Sequence, residues 1–248
     1  MLTAGADVPA MNFRATSFVI KGFVLIGVLL VLAPVPAHAG DLSDLQEIVD
    51  EARLTFARFV GHPDMNWFRE HLKDARAVFI APSLVKAGYF VGGARGNGVL
   101  LVLEERTGEW SDPAFFTVTG GSLGLQIGIQ RSEFVAMVMT NKGLESLRGT
   151  RFILGADATL AVGPIGGGVG GGTTPTLSAD VVSFARSDGA FAGLALQGLV
   201  ILPDNDSNAV YFGGPVRSTD ILAGSDGIHH WYSARLRATL MKAQSGEP

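Results

Sequence analysis

The chain has 248 residues, 47% hydrophobic and only 17% charged, which excludes a disordered polypeptide and requires a packed core. It has no cysteine, which excludes a disulfide scaffold, thiol catalysis and thiolate metal sites. The net charge of −4 argues against a broad nucleic-acid-binding surface, and 33 glycines without a collagen period must sit inside ordered structure.

Residues 18–33 are almost wholly apolar, Arg14 and Lys21 precede the main run, and Ala37-His38-Ala39 follows it. Positive, apolar, then small-x-small is the order of a secretory signal peptide. The uninterrupted stretch Gly22–Ala33 is shorter than the roughly 20 residues of a membrane span. The alternative is an uncleaved anchor in which Lys21 snorkels. Residues 1–39 are read as a leader cleaved after Ala39, with Met1 or Met11 as the start. No cysteine follows, so no lipoprotein is expected. Residues 40–248 are expected to form a single domain, periplasmic or secreted. Losing Arg14, Lys21 and Asp7 takes the net charge from −4 to −5.

Residues 41–60 carry apolar side chains at helical spacing, from Leu42 and Leu45 to Phe59 and Val60. Acids crowd the start, Arg58 lies near the end and Gly61 is a stop signal. Leu45, Ile48, Ala52 and Phe56 are expected inside the fold. Five acids against two bases make this helix a poor anchor on anionic lipid. Pro63 opens a second helix to Lys73. From Ala77 the period becomes two, with strands over 77–81, 87–93, 98–104 and, most clearly, 120–130. In the last, Leu123, Leu125, Ile127 and Ile129 alternate with small or polar residues. Glu133–Thr140 reads as a buried strand, and Asn141 as the cap of a helix holding Leu144 and Leu147. Further strands are expected over 152–163, 176–186, 190–202 and 210–213, and helices over 217–223 and 231–243. The predicted class is α+β: a strongly curved, mainly antiparallel, Gly-rich sheet approaching a barrel, with N- and C-terminal helices.

Four motifs invite chemistry. Gly120-Gly-Ser122-Leu-Gly124 matches a nucleophile elbow, with Asp157 or Asp180 and His229 or His230 following. That motif needs a strand ending at the serine and then a helix, whereas the alternation here continues. Gly166–Gly171 contains G-x-G-x-x-G, but a Thr-Thr-Pro and a strand pattern follow instead of a helix. A hairpin fits better. Asp204–Asn208 begins like a calcium loop but has Ala209 and Pro215 where glycine and glutamate are needed, so a polar turn is expected. His229-His230 points to two different faces and makes no metal site. No cofactor, metal or catalytic residue is assigned.

Several stretches, in order and spacing, go beyond composition. They are Lys86–Val99 (KAGYFVGGARGNGV), Trp110–Phe115 (WSDPAF), Gly124–Gly128 (GLQIG), Leu154–Asp157 with Ala161–Ile165, and Ser183–Gly193 (SFARSDGAFAG). Together, over about residues 45–222, they resemble the SYLF domain, also called DUF500 or the actin-patch-type actin-binding domain. Asp64–Lys73 is similar to the exported bacterial branch. The resemblance implies a non-enzymatic lipid-binding module whose eukaryotic members bind phosphoinositides and, in some cases, actin. Two departures stand out. Asp188 stands where relatives commonly carry lysine, and Gln197 where they carry glutamate. Export argues against actin and phosphoinositides as partners.

The expected function is therefore exported, non-enzymatic binding of anionic phospholipid or a membrane surface. Lys86, Arg95 and Arg186, in or beside the Gly-rich motifs, are the candidate phosphate contacts. The competing reading of them is three solvated cations. A structural or protein-binding module of the cell envelope is the alternative function, and a hydrolase acting through Ser122 the third. Gly93 and Gly124 are expected where valine would impair folding. Ser122→Ala should be tolerated.

Overall fold

The computed structural model describes residues 41–88, 91–123, 128–163, 179–187, 190–192, 196, 198–224 and 230–246. The expected leader, the glycine run 166–171, Gly124, Leu125, Ile127, Asp188, Gln197 and His229 lie outside these residues.

Helix α1 (Leu42–Gly61) forms where the apolar stripe falls, with Asp44 in its first turn and Arg58 in its last. The stripe buries Leu45, Val49, Ala52, Phe56 and Phe59 completely or nearly so. Ile48, expected inside, is half-buried at the stripe's edge. Gly61 still belongs to the helix, and the chain leaves it at His62, which is extended. Helix α2 (Asn66–His71) starts beyond Pro63 rather than at it, and a 3-10 turn over Leu72–Asp74 completes it.

Nine strands follow among the described residues. They are β1 (Ala77–Gly88), β2 (Val91–Val102), β3 (Ala114–Leu123), β4 (Gly128–Val138), β5 (Phe152–Ile153), β6 (Leu160–Val162), β7 (Val181–Ser187), β8 (Ala190–Ala192) and β9 (Val200–Pro203). They make one sheet in the order β5-β9-β3-β2-β1-β4-β7-β6, with β8 also on β7, and only the β6–β7 pair is parallel.

The expected strands 77–81, 87–93 and 98–104 are two long ones instead. Pro82 misleads the sequence reading, because proline lacks the N–H that a central strand donates. The sheet accommodates it in a β-bulge: β1 changes register between Ile80 and Ser83 against β2, and between Ala81 and Leu84 against β4. The expected strand 120–130 divides between β3 and β4, which lie on opposite sides of the β2–β1 pair. Ile129 is not on a buried face; it is 81% exposed. Val210–Gly213, expected as a strand, closes helix α4 (Asn205–Phe212). Asp204 caps that helix by accepting the Ser207 N–H at 3.0 Å, so the calcium-like run is a helix start. Helices α3 (Asn141–Leu147), α5 (Ser218–Leu222) and α6 (Ala234–Ser245) complete the chain. Thr140, not Asn141, caps α3.

The sheet is a strongly curled half-barrel. Phe79 of β1 and Phe116 of β3 lie two strands apart, yet their rings meet at 6.2 Å, inside the roughly 10 Å that two strand spacings would set. They meet above Gly98 of β2, which pairs with Phe116 and has no side chain to separate them. This inner face holds one core, with Phe134, Leu100, Ile201 and the α3 and α5 leucines. The outer face holds a second core, where α1, α2, α4 and α6 cover Val78, Ile80, Val99, Val135 and Phe184.

Asp180 ties the inner elements together. Its carboxylate, 6% exposed, accepts the Thr140 hydroxyl at 2.6 Å and the Thr159 N–H and hydroxyl at 2.9 Å each, with Lys142 at 3.3 Å. The Thr140 hydroxyl first, then the Thr159 N–H, holds its pKa well below the ordinary 3.8. A depressed folded-state pKa gives stability that is present above the unfolded value and lost as pH falls below it. Asp180→Asn should therefore lower the urea midpoint at pH 7, and the difference from the parent should narrow as pH falls from 5 to 2.

Candidate functional site

Strand register decides which cations share a surface. Val85 of β1 pairs with Arg95 of β2 on one side and Arg131 of β4 on the other. The three lie in one row on the outer face, the arginine Cα atoms about 10 Å apart. In the next row Ala87 lies between Gly93 and Ile129. Arg95, Arg131 and Ala87 are exposed, like Ile129. Gly93, Gly121 and Ala87 keep this end of the face low.

The row on the other side is closed by ion pairs. Glu133 of β4 pairs with Arg186 of β7 in register, and its carboxylate takes the Arg186 guanidinium at 3.0 Å. Arg58, from the last turn of α1, forms a close ion pair with the same carboxylate and donates to the Thr55 hydroxyl at 2.9 Å. This cluster fastens the end of α1 to the sheet. The outer face beyond it carries Arg95, Arg131 and Ile129.

The three cations expected from the sequence thus fall in three settings. Arg95 is exposed in the open row. Arg186 lies on the same face, bound to Glu133. Lys86 pairs with Ala94, a residue of the inner core, and so lies on the opposite face. Burial pushes its amine below the usual 10.5. Arg131 and Ile129 were missed because 120–130 reads as one strand with Ile129 on its apolar side. Arg131 then falls at a strand end instead of beside Val85.

The described acids and histidine of the hydrolase reading are engaged elsewhere. Asp157 accepts the Ile153 N–H at 2.7 Å, and Asp180 is held by its two threonines. The His230 ring packs 4.2 Å from Tyr211, and its Nδ1 accepts the Tyr232 N–H. Ser122 lies one residue from the end of β3, and the next described element is strand β4, not a helix. Among the described residues no group of three acidic or histidine side chains could hold a metal ion.

Gly93 is not a point of close approach. A Cβ there would meet only the Gly120 carbonyl oxygen, at 3.9 Å, and the tight positions are Gly96 and Gly98. Gly120, read from the sequence as part of a small or polar face, turns inward, where Leu199 covers it.

Comparison with known proteins matches residues 119–243, half of the chain, to the Ysc84 family, described as "Las17-binding protein actin regulator". The human SH3 domain-containing YSC84-like protein 1 is 33% identical over 143 residues, covering 57% of this chain and 42% of that protein. The LAS seventeen-binding protein 3 of Saccharomyces cerevisiae is 29% identical over 157 residues, covering 62% of this chain and 34% of that protein. The similarity thus spans about two fifths or less of each relative's length. The matched segment runs from β3 through α6 and includes Arg131, Glu133 and Arg186, and with it this chain belongs to the Ysc84, or SYLF, family.

Proposed function

We propose that this domain docks on anionic phospholipid bilayers through the open end of its outer face, without catalysing a reaction. The observation that carries this reading is the row of exposed Arg95 and Arg131 flanking Val85, with Ile129 81% exposed one row beyond. Guanidinium forks suit phosphate oxygens, and an exposed isoleucine one row beyond them suits the boundary of headgroups and acyl chains. The acids of α1, with Asp41, Asp44, Glu47 and Glu51 exposed, would repel the same surface. The charge asymmetry turns the sheet end, not the helix, toward the bilayer. With residues 1–39 read as a leader, that bilayer belongs to the cell envelope and is reached from the periplasm or the exterior. The second reading is a protein-binding module, favoured by the description of the family and the names of its relatives.

Co-sedimentation with vesicles of phosphatidylglycerol and phosphatidylcholine tests the proposal. Binding is expected to the mixed vesicles, not to phosphatidylcholine alone, and to weaken as salt shortens the Debye length. Replacing both Arg95 and Arg131 by glutamine should weaken it roughly thirtyfold, from about 1 kcal/mol per arginine. A parent protein that ignores anionic vesicles, or a double variant that binds like the parent, would favour the protein-binding reading.

A further inference from the structure

We propose that the exposed ridge of α6, led by Trp231, is a second contact for an anionic phospholipid bilayer, at the far end of the sheet from Arg95. It shares its kind of partner with the bilayer reading above but none of its residues. Trp231 is 77% exposed in the 3-10 turn that opens into α6, and Met241 is 46% exposed. Ala234 and Ala238 lie between them and are exposed too. Spacings of three, four and three residues put all four on one side of the helix. Exposed Arg235 and Lys242, seven residues apart, run along one flank of that ridge.

The ridge is not needed for folding. Leu236 and Leu240, on the opposite side of α6, are buried in the outer-face core. The helix is also fastened at both ends. The Tyr232 hydroxyl donates to Asp50 of α1 at 2.5 Å and the Ser233 hydroxyl donates to Asp112, while Trp110 Nε1 donates to Gln244 Oε1 at 3.0 Å. The Trp231 ring is set between its neighbours, stacked on His230 at 6.0 Å and edge-on to Tyr232 at 5.4 Å. Trp110 also fixes where α6 lies. It bridges to Leu103, just past the end of β2 at Val102. Arg95 is seven residues back along β2, about 23 Å away.

The chemistry of the ridge selects the partner. The sequence has no acid between Asp226 and Glu247. Asp50, the carboxylate that Tyr232 reaches, is also held by Arg53 at 3.7 Å. A tryptophan suits the headgroup level of a bilayer, and Arg and Lys stems lie along apolar surface with their charges at the phosphates. A fluid bilayer takes a convex ridge without a matching groove, whereas a tryptophan anchoring a protein complex fills a pocket of the partner. A second copy of this chain fits poorly, because two-fold pairing of α6 with α6 would set Arg235 against Lys242.

Tryptophan fluorescence with vesicles of phosphatidylglycerol and phosphatidylcholine carrying brominated acyl chains tests this, on the full chain. Of the three tryptophans, Trp110 is buried and Trp67 half-buried against the outer-face core. Bromine should therefore quench the parent chiefly through Trp231. Trp231→Phe should remove most of the quenching and still sediment with the vesicles. Trp231→Ala should weaken vesicle binding about tenfold, and Arg235→Gln with Lys242→Gln roughly thirtyfold. All of these variants should melt like the parent, since the side chains changed are exposed. The inference is overturned if the bound parent is not quenched, if Trp231→Phe is quenched like the parent, or if Trp231→Ala binds as well as the parent. Those results leave the sheet-end reading standing. The double glutamine variant of Arg95 and Arg131 reports on that reading alone: parental binding by it, with binding lost in Trp231→Ala, would remove the sheet end and leave α6 as the contact.

Discussion

Gly96→Ala is expected to destabilise the domain by about 3 kcal/mol or more, read as a lower urea midpoint at unchanged slope. In an ordinary strand interior the same change would help by roughly 0.5–1 kcal/mol, because alanine loses less backbone freedom on folding. The sign reverses here because of Pro82. The bulge it forces on β1 swings the Ser83 carbonyl toward β2, and a Cβ on Gly96 would lie 2.3 Å from that oxygen and 3.1 Å from the Leu84 Cα. Both obstacles are backbone, so no rotamer change relieves them. Gly98 meets the other side of the bulge, its Cβ 2.7 Å from the Ile80 carbonyl oxygen and 2.7 Å from the Phe79 ring. The proline of one strand and the two glycines of its neighbour form one device. Gly93→Ala is the control: with open space around its Cβ, it should leave the midpoint close to the parent's.

The same bulge explains why the site was only partly legible. Without it, strand alternation would place Lys86 with Val78 and Ile80 on the outer face, the side of Arg95. The register shift moves it to the inner face with Leu84. Periodicity found α1, the two-sided burial of β4 and the α+β order, because those patterns are local. The sequence also carried the family through its ordered motifs. It did not carry strand pairing, which depends on residues far apart in the chain, so Arg95 was found and its partner Arg131 was not. Gly120 and its neighbours read as a small or polar face, yet Gly120 is where the inner core closes on Leu199. Short strands were the least legible. β5, β6 and β8 have two or three residues each, too few for any period to show.

Phe56→Ala should destabilise the domain by about 3–5 kcal/mol while leaving vesicle binding of the folded protein unchanged. Phe56 is fully buried, and its ring meets Phe68 of α2 edge-on at 5.8 Å, with Phe68 in turn 5.2 Å from Phe184 of β7. The three rings link α1, α2 and the outer sheet face, so truncation opens a cavity where three elements meet and none can collapse alone. Such a helix is a packing element. A helix used as a membrane anchor would keep its apolar stripe available to lipid and carry bases along its polar face. Here the stripe is spent on the sheet, its exposed side is acidic, and Arg58 is engaged with Glu133. Differential scanning calorimetry should show the lower melting temperature. Co-sedimentation with phosphatidylglycerol vesicles, at a temperature where the variant remains folded, should show parental binding. The opposite pattern, an unchanged melting temperature with lost binding, would make α1 the anchor and remove the outer-face arginines from that role.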